Sequence, residues 1–343
     1  SLSLAMTVVP VTPAAAAGAE QNSEGLQNAV LDLGFENSLE DSSGKGNNGT
    51  LSSGNAEYVD GVVGKALKMN GSSYVNLGTS TDLQPENLTL SFWIRPDTAM
   101  TGEELISWNK NEWYTDGWYL SSENDNTPLT LSIGPAKTNG QPYRVSVSGK
   151  RSDFFPTGEW THIAVTYDKD SKEICFYRNG VKCSTVTTYG IGGESTGVLG
   201  SDASMEKSIG YNGPKYKGAY LKASLDEYQL YNDVATQEEV IALYEESGQT
   251  FDRKAVAQAD LDKISIPETT QGNLSLPATG ESGSVISWSS DNEAVVAADG
   301  TVVRPGVGEK DATVTLTAEA SYLNGEKVTK TYKVIVTAKQ EIN

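Results

Sequence analysis

The chain has 343 residues, enough for two ordinary domains with a core in each. Asp and Glu (45) outnumber Lys and Arg (26), giving a formal net charge of −19 and a pI near 4.5. That balance excludes a nucleic-acid partner, whose phosphates need cations, and an anionic membrane surface. Gly, Ser, Thr and Asn are abundant and long amphipathic helices are scarce, which points to an all-β chain with many turns.

The chain opens on "SLSLAMTVVPVTPAAAAGAEQ". An apolar run leads into small residues and an A-x-A pattern at Ala17-Gly18-Ala19, the form of a signal-peptide end. Residues 1–25 are expected to be a signal-peptide remnant or a Pro/Ala-rich linker, with a secreted or cell-surface protein beginning near Glu20. The run is too short and too interrupted by proline to span a bilayer, so no membrane insertion is expected. Without an initiator Met, the chain reads as a piece of a longer polypeptide.

Residues 26–249 are short β-like runs between turns: "SYVNLG", "LTLSFWIRP", "LTLSIG", "YRVSVSG", "WTHIAVTYD", "EICFYRNG" and "ASLDEYQLYN". Several alternate apolar and polar residues, as half-buried antiparallel strands do. Such spacing suggests a sandwich or jelly roll.

One stretch, "WNKNEWYTDGWY" at 108–119, holds three tryptophans and two tyrosines. Alternation places Ile106 with Trp108 on one strand face and Trp118 with Leu120 on one face of the next. Ser107, then Tyr119 with Ser121, fall on the opposite faces. Trp108 and Trp118 are therefore expected in the core, as are Trp93 and Trp160. The loop between them has no folding reason to expose Trp113 and Tyr114. They offer a stacking platform, fold back as a lid, or pack on a neighbouring domain.

The two cysteines, Cys175 and Cys183, flank Asn179-Gly180, a hairpin turn signal. A two-residue turn pairs Phe176 with Cys183 and separates the sulfurs. A three-residue loop pairs Cys175 with Cys183 and permits a disulfide. The sequence does not choose.

"ATQEEVIALYEESG" predicts a helix, with Thr236 and Glu239 as a capping box, Val240, Leu243 and Tyr244 as its apolar stripe, and Gly248 at its end. Residues 250–263 read as a linker. Residues 264–343 restart the β pattern and predict a smaller sandwich, with a hairpin at Asp299-Gly300 and Trp288 in its core.

The landmarks "LDLGFENSLEDSSGKGNNGTL", "GVVGKALKMNGSSYVNLG", "LTLSFWIRP", "GEWTHIAVTYD", "FYRNGVKC" and "LKASLDEYQLYNDVATQEEVIALY" are collinear over most of 28–247. On them the first segment resembles the laminin-G-like, concanavalin A-like jelly rolls of secreted bacterial proteins. "SVISWSSDNEAVVAADGTVVRP" followed by "DATVTLTAEAS" resembles a shortened bacterial Ig-like module. In bacteria these two modules often flank glycoside hydrolase domains. The resemblance implies an all-β, non-catalytic accessory region that binds a glycan or polysaccharide, with the Ig-like module as a spacer. It would be an N-terminal part of a larger exported glycoside hydrolase. The alternatives are a structural module packing on a downstream catalytic domain and a cell-surface adhesion module binding protein.

Catalytic signals are absent from the sequence. The single histidine, His162, lies on a strand of the resemblance and is expected to be structural. No G-x-S-x-G, P-loop or H-E-x-x-H motif occurs. Glycosidases need two carboxylates about 5 to 10 Å apart. The adjacent Asp226 and Glu227 are expected on opposite strand faces.

"FENSLEDSSGKGNNG" is rich in oxygen donors, which suits Ca²⁺ and not zinc, although it is also good turn chemistry. Related jelly rolls hold a structural calcium between an N-terminal loop and an acidic residue on the last strand. The matching residues are Glu36, Asp41 and Asp226, with carbonyls near Asn48. For a sugar, aromatic faces stack on C–H groups while polar side chains bond hydroxyls. The candidate ligand residues are Asn111, Trp113, Tyr114 and Asp116 in the loop, with Tyr211 and Tyr216 from other loops.

Overall fold

In a computed structural model of the protein, residues 26, 29–110, 115–135, 142–189, 204–211 and 220–341 are described. Two eight-stranded antiparallel sheets stack to form the first module. The first sheet runs, in order across it, Val181–Lys182, Ile174–Arg178, Thr161–Tyr167, Leu88–Pro96, Ala223–Tyr231, Lys65–Lys68 and Glu57–Asp60, with Ala29–Leu33 also paired to Ala223–Tyr231. The second runs Thr185–Tyr189, Pro142–Val147, Thr130–Pro135, Gly117–Ser122, Glu104–Lys110, Ser208–Ile209, Val75–Asn76 and Thr50–Leu51. A short helix, α1 (Arg151–Phe154), precedes strand Thr161–Tyr167.

Strand alternation explains the core. In "LTLSFWIRP", Leu88, Leu90, Phe92 and Ile94 are fully buried between the sheets, against residues such as Leu120, Leu131 and Ile133 of the second sheet. Thr89, Ser91 and Trp93 take the outer face, and Trp93 stacks on Tyr244 of the helix covering it.

That helix is α2 (Gln237–Glu246). Its capping box is present as expected: the Glu239 amide donates to Thr236 Oγ1 (3.3 Å), and the Thr236 amide donates to Glu239 Oε2 (2.7 Å).

The hairpin after Ile174–Arg178 has a two-residue turn, with Asn179 at φ 48° and Gly180 at φ 80°. Tyr177 pairs with Lys182, and the Cys183 amide donates to the Phe176 carbonyl (2.8 Å). Cys175 therefore faces outward among Ala164, Tyr177 and Val240, while Cys183 packs on the sandwich core. Both thiols are free.

The stretch read as a linker holds a helix instead, α3 (Arg253–Asp262), capped by Asp252, whose carboxylate accepts from the Ala255 amide (2.9 Å). Ala257 and Leu261 are fully buried against Ala318, Ala320 and Val328. The composition hid this, because the helix buries so few apolar side chains. The third sheet is ordered Thr269–Thr270, Val328–Val336, Ala312–Ser321 and Val285–Ser290, its first pair parallel and the rest antiparallel. Val314, Leu316, Ala318 and Ala320 share its inner face, which α3 covers at one end and Leu274 and Val296 at the other. Trp288 is half-buried on that face, its indole N–H donating to the Pro277 carbonyl (2.9 Å).

The two modules are joined by packed rings. Tyr244 meets Phe251 edge-on at 6.3 Å between centroids, and Phe251 meets Tyr322 at 6.0 Å. Among the described residues, no helix is long and apolar enough to cross a membrane.

Candidate functional site

The hairpin Glu104–Lys110/Gly117–Ser122 departs from simple alternation. Its register shifts between Leu105 and Ser107, leaving Ile106 as an extra residue. Ile106 enters the sandwich core, and Ser107 follows it inward to bond the Tyr228 hydroxyl at 2.6 Å. Trp108 is thereby turned outward, paired with Tyr119 and packed with Leu105. Trp118 remains in the sandwich core. The expectation that Trp108 shares a face with Ile106 is thus corrected by one bulge, as is the placing of Ser107 on the outer face.

Outside the second sheet the Trp108 and Tyr119 rings stack at 5.3 Å with an interplanar angle of 25°. The cross-strand pairs continue this row from Tyr119 to Ser132 to Arg144. A parallel row runs from Ser121 to Thr130 to Ser146, and the last two hydroxyls lie 2.7 Å apart. Arg144 and Glu123, both largely buried, form an ion pair, and Ser121 Oγ donates to Glu123 (3.4 Å). An outer sheet face is normally covered with solvated side chains. Here it carries a stacked aromatic pair beside hydroxyl, guanidinium and carboxylate groups that are themselves buried: Trp108 is 3% exposed, Tyr119, Ser121, Thr130, Ser132 and Ser146 0%, and Arg144 6%, so this face is a second packed layer outside the sandwich core.

Asp116 is exposed where the chain enters strand Gly117–Ser122, at the tip end of this hairpin. Asn111, Trp113, Tyr114 and Tyr216 lie outside the described residues. Tyr211 is brought to the opposite end of the strand: the Gly210 amide donates to the Ile106 carbonyl, whereas Lys110 pairs with Gly117. The span Ile106–Lys110 alone separates the two ends by about 13 Å at strand rise. The Tyr211 ring is also already stacked, on Tyr74 at 5.1 Å and Tyr220 at 4.4 Å.

The candidate metal residues divide. Glu36 and Asp226 both reach the turn 61–65. Asp226 Oδ2 accepts from the amides of Val62 (2.7 Å) and Val63 (3.1 Å), and Glu36 Oε1 accepts from the Lys65 amide (3.0 Å). Only glycine fits at 61 and 64, because a Cβ at either would strike the Asp226 or Glu36 carboxylate. Asp41 is occupied within its own loop. Its oxygens accept from the amides of Asp32, Ser43 and Asn47 and from the Ser43 hydroxyl, at 2.8–3.0 Å. Those bonds outweigh partial burial and hold its carboxyl below the usual range. Among the described residues, no group of three or more His, Cys, Asp or Glu is placed to hold a metal ion.

A second bulge lies in strand Ala223–Tyr231, where the register shifts between Asp226 and Gln229 and Glu227 takes φ 46°. Asp226 stands opposite Trp93 on the outer face. Glu227 lines an outer cavity with Trp93, His162 and Glu246. The two carboxylates therefore share a face, where opposite faces were expected. Burial pushes Asp226 up to about 6 and Glu227 up to about 7; the charge of Glu36 adds to both, and that of Asp226 adds further to Glu227.

His162 is structural in placement: it is fully enclosed, and Nε2 lies 2.9 Å from Ser91 Oγ. Burial lowers its pKa to about 3, so it stays neutral. Trp93 is buried outside the sandwich core, under α2. Trp160, expected in the core, is half-buried beneath the Arg95 guanidinium, which lies 4.8 Å from its ring centroid.

Residues 69–241 match the family described as the concanavalin A-like lectin/glucanases superfamily, and residues 254–339 match the atrophied bacterial Ig domain. An alpha-L-arabinofuranosidase of Bifidobacterium longum is 37% identical over 110 residues, which are 25% of this chain and 10% of that protein. The chain thus spans about a tenth of the length of this curated relative. Among solved structures, domain 4 of an extracellular arabinanase from Geobacillus stearothermophilus, in complex with arabinotriose, aligns with a TM-score of 0.48. It is 22% identical, over 63% of this chain and 98% of the other. The binding domain of Paraclostridial Mosquitocidal Protein 1 aligns with a TM-score of 0.47 and 18% identity, over 87% of this chain and 76% of the other.

Proposed function

Because this chain belongs to the concanavalin A-like lectin/glucanases superfamily through residues 69–241, we propose that it is a non-catalytic carbohydrate-binding region of an exported bacterial protein. Its role is to concentrate an enzyme carried on the same polypeptide at a polysaccharide, an effective-concentration effect. The observation that carries this reading is the hairpin Glu104–Lys110/Gly117–Ser122, which presents the exposed Asp116 at its tip end and is stiffened by the buried Trp108–Tyr119 stack and the Arg144–Glu123 pair. The likeness of a quarter of the chain to an arabinofuranosidase supports arabinose-containing polysaccharides as the first ligands to test. A structural calcium belongs to the same proposal. Glu36 and Asp226 would hold it, and it would supply positive charge where buried carboxylates crowd.

Titration calorimetry of the whole chain against arabinan and other neutral polysaccharides tests the binding. We expect binding that Trp113→Ala and Asp116→Ala each weaken about tenfold. An array of neutral glycans with no binder, at protein concentrations that saturate weak lectins, would sink the reading and favour a module that packs on a downstream domain.

A further inference from the structure

On the far side of the first module, an open crevice of about 340 Å³ is lined by Val62, Trp93, Trp160, Asn179, Tyr244 and Gln249. Trp93 comes from the first sheet, Trp160 from the residue just before strand Thr161–Tyr167, Tyr244 from α2, and Gln249 from the segment leading to the second module. We propose that this crevice is a second subsite for a neutral sugar residue, resting on the glycan-binding reading above but on a different face.

Three observations commit it to that ligand. Its walls are three aromatic rings: Trp93 is buried and stacked on Tyr244 at 5.5 Å and 28°, which fixes Tyr244, and the half-buried Tyr244 and Trp160 supply the ring surface on which the C–H groups of a sugar pack. Its polar lining is carboxamide and carries no charge. Asn179 is fixed in the two-residue turn and accepts from the His162 amide through Oδ1 (2.9 Å), leaving its nitrogen to donate. Gln249 is exposed at the rim. The lining carries no Asp, Glu, Lys, Arg or His; its one titratable group is the Tyr244 hydroxyl, which burial holds further from ionising, and the Arg95 guanidinium lies over the Trp160 ring at 4.8 Å without lining the crevice. The volume is at the low end of ligand pockets, roughly 300–1,000 Å³, which suits a single ring with part of the next and not a bulky partner.

The consequence is geometric. The hairpin that presents the exposed Asp116 belongs to the second sheet, and this crevice lies on the outer face of the first. One chain would then hold two sugar segments, one at each sheet, and join separate polysaccharide strands.

The test uses the full chain and linear arabino-, xylo- and cello-trisaccharides as probes, followed by calorimetry and by the tryptophan indole N–H resonances. A trisaccharide is expected to bind at two sites per chain and to move the Trp160 and Trp93 signals. Trp160→Ala and Gln249→Ala should each weaken one of the two sites, Trp160→Ala by about tenfold, and leave the other intact. Gln249 is exposed, so its replacement separates binding from folding. If a trisaccharide binds while the Trp160 signal stays still and both variants keep both affinities, the crevice is not a subsite and the general reading survives. If no trisaccharide or longer neutral glycan binds the chain at all, both fail together.

Discussion

Trp108 and Trp118 stand on the two strands of one hairpin and point to opposite faces of the second sheet. Trp118 fills the sandwich core, while Trp108 stacks on Tyr119 outside it. Their replacements should therefore fail differently. Trp118→Ala removes a buried ring from the main core and should cost about 3–5 kcal/mol in denaturant unfolding. Trp108→Phe keeps a ring against Tyr119 in the buried outer layer, where Trp108 is 3% exposed, and should cost less, about 1–2 kcal/mol. Equal losses of stability in the two variants would contradict this assignment.

Gly180 joins the modules as well as turning a hairpin. It has φ 80°, and a Cβ there would come within 2.7 Å of the Phe251 ring. Gly180→Ala is expected to strain the turn by about 1 kcal/mol or more and to push Phe251 from its seat between Tyr244 and Tyr322. Scattering should show a longer average shape, and calorimetry should separate two melting steps. A single unchanged transition would mean that the aromatic contacts do not couple the modules.

The crowded carboxylates make a pH prediction. Burial first, then neighbouring charge, raises Glu227 to about 7 from an ordinary 4.5. The folded chain therefore holds a proton that the unfolded chain has lost, and this stabilisation disappears as pH rises through 7. Below about 6.5 the buried neutral His162 acts in the opposite sense, since the unfolded chain then takes up a proton that the folded one refuses. The clean window is thus about pH 6.5 to 8, where the melting temperature without divalent ions should fall. Glu227→Gln should flatten the fall; a variant as steep as the parent would place the titrating group elsewhere.

Calcium would act on the same groups, because a cation between Glu36 and Asp226 offsets their repulsion. Calcium is expected to raise the melting temperature near pH 8 by several degrees over chelator, with Glu36→Gln abolishing the rise. Asp41→Ala should lower stability by roughly 1–3 kcal/mol through its loop bonds yet keep the calcium response. A response lost with Asp41 and kept without Glu36 would reverse the two roles.

Much of the architecture was legible residue by residue. The strand landmarks, the Thr236–Glu239 cap and the Asn179-Gly180 turn each depend on a few neighbouring side chains and appear where their patterns put them. Helix α3 was not legible, because its stability comes from Ala257 and Leu261 packing on a sheet that follows it in the chain.

The sequence by itself determined the two β modules, their order and the chemical types available for binding, since alternation, turns and caps are short-range effects. Tertiary structure alone decided which face each group serves. Bulges at Ile106 and Glu227 are set by pairing with distant strands, and each reverses the alternation beyond it. One carried Trp108 out of the core; the other put Asp226 and Glu227 on one face. The crevice of Trp93, Trp160 and Tyr244 exists only because α2 closes over the first sheet.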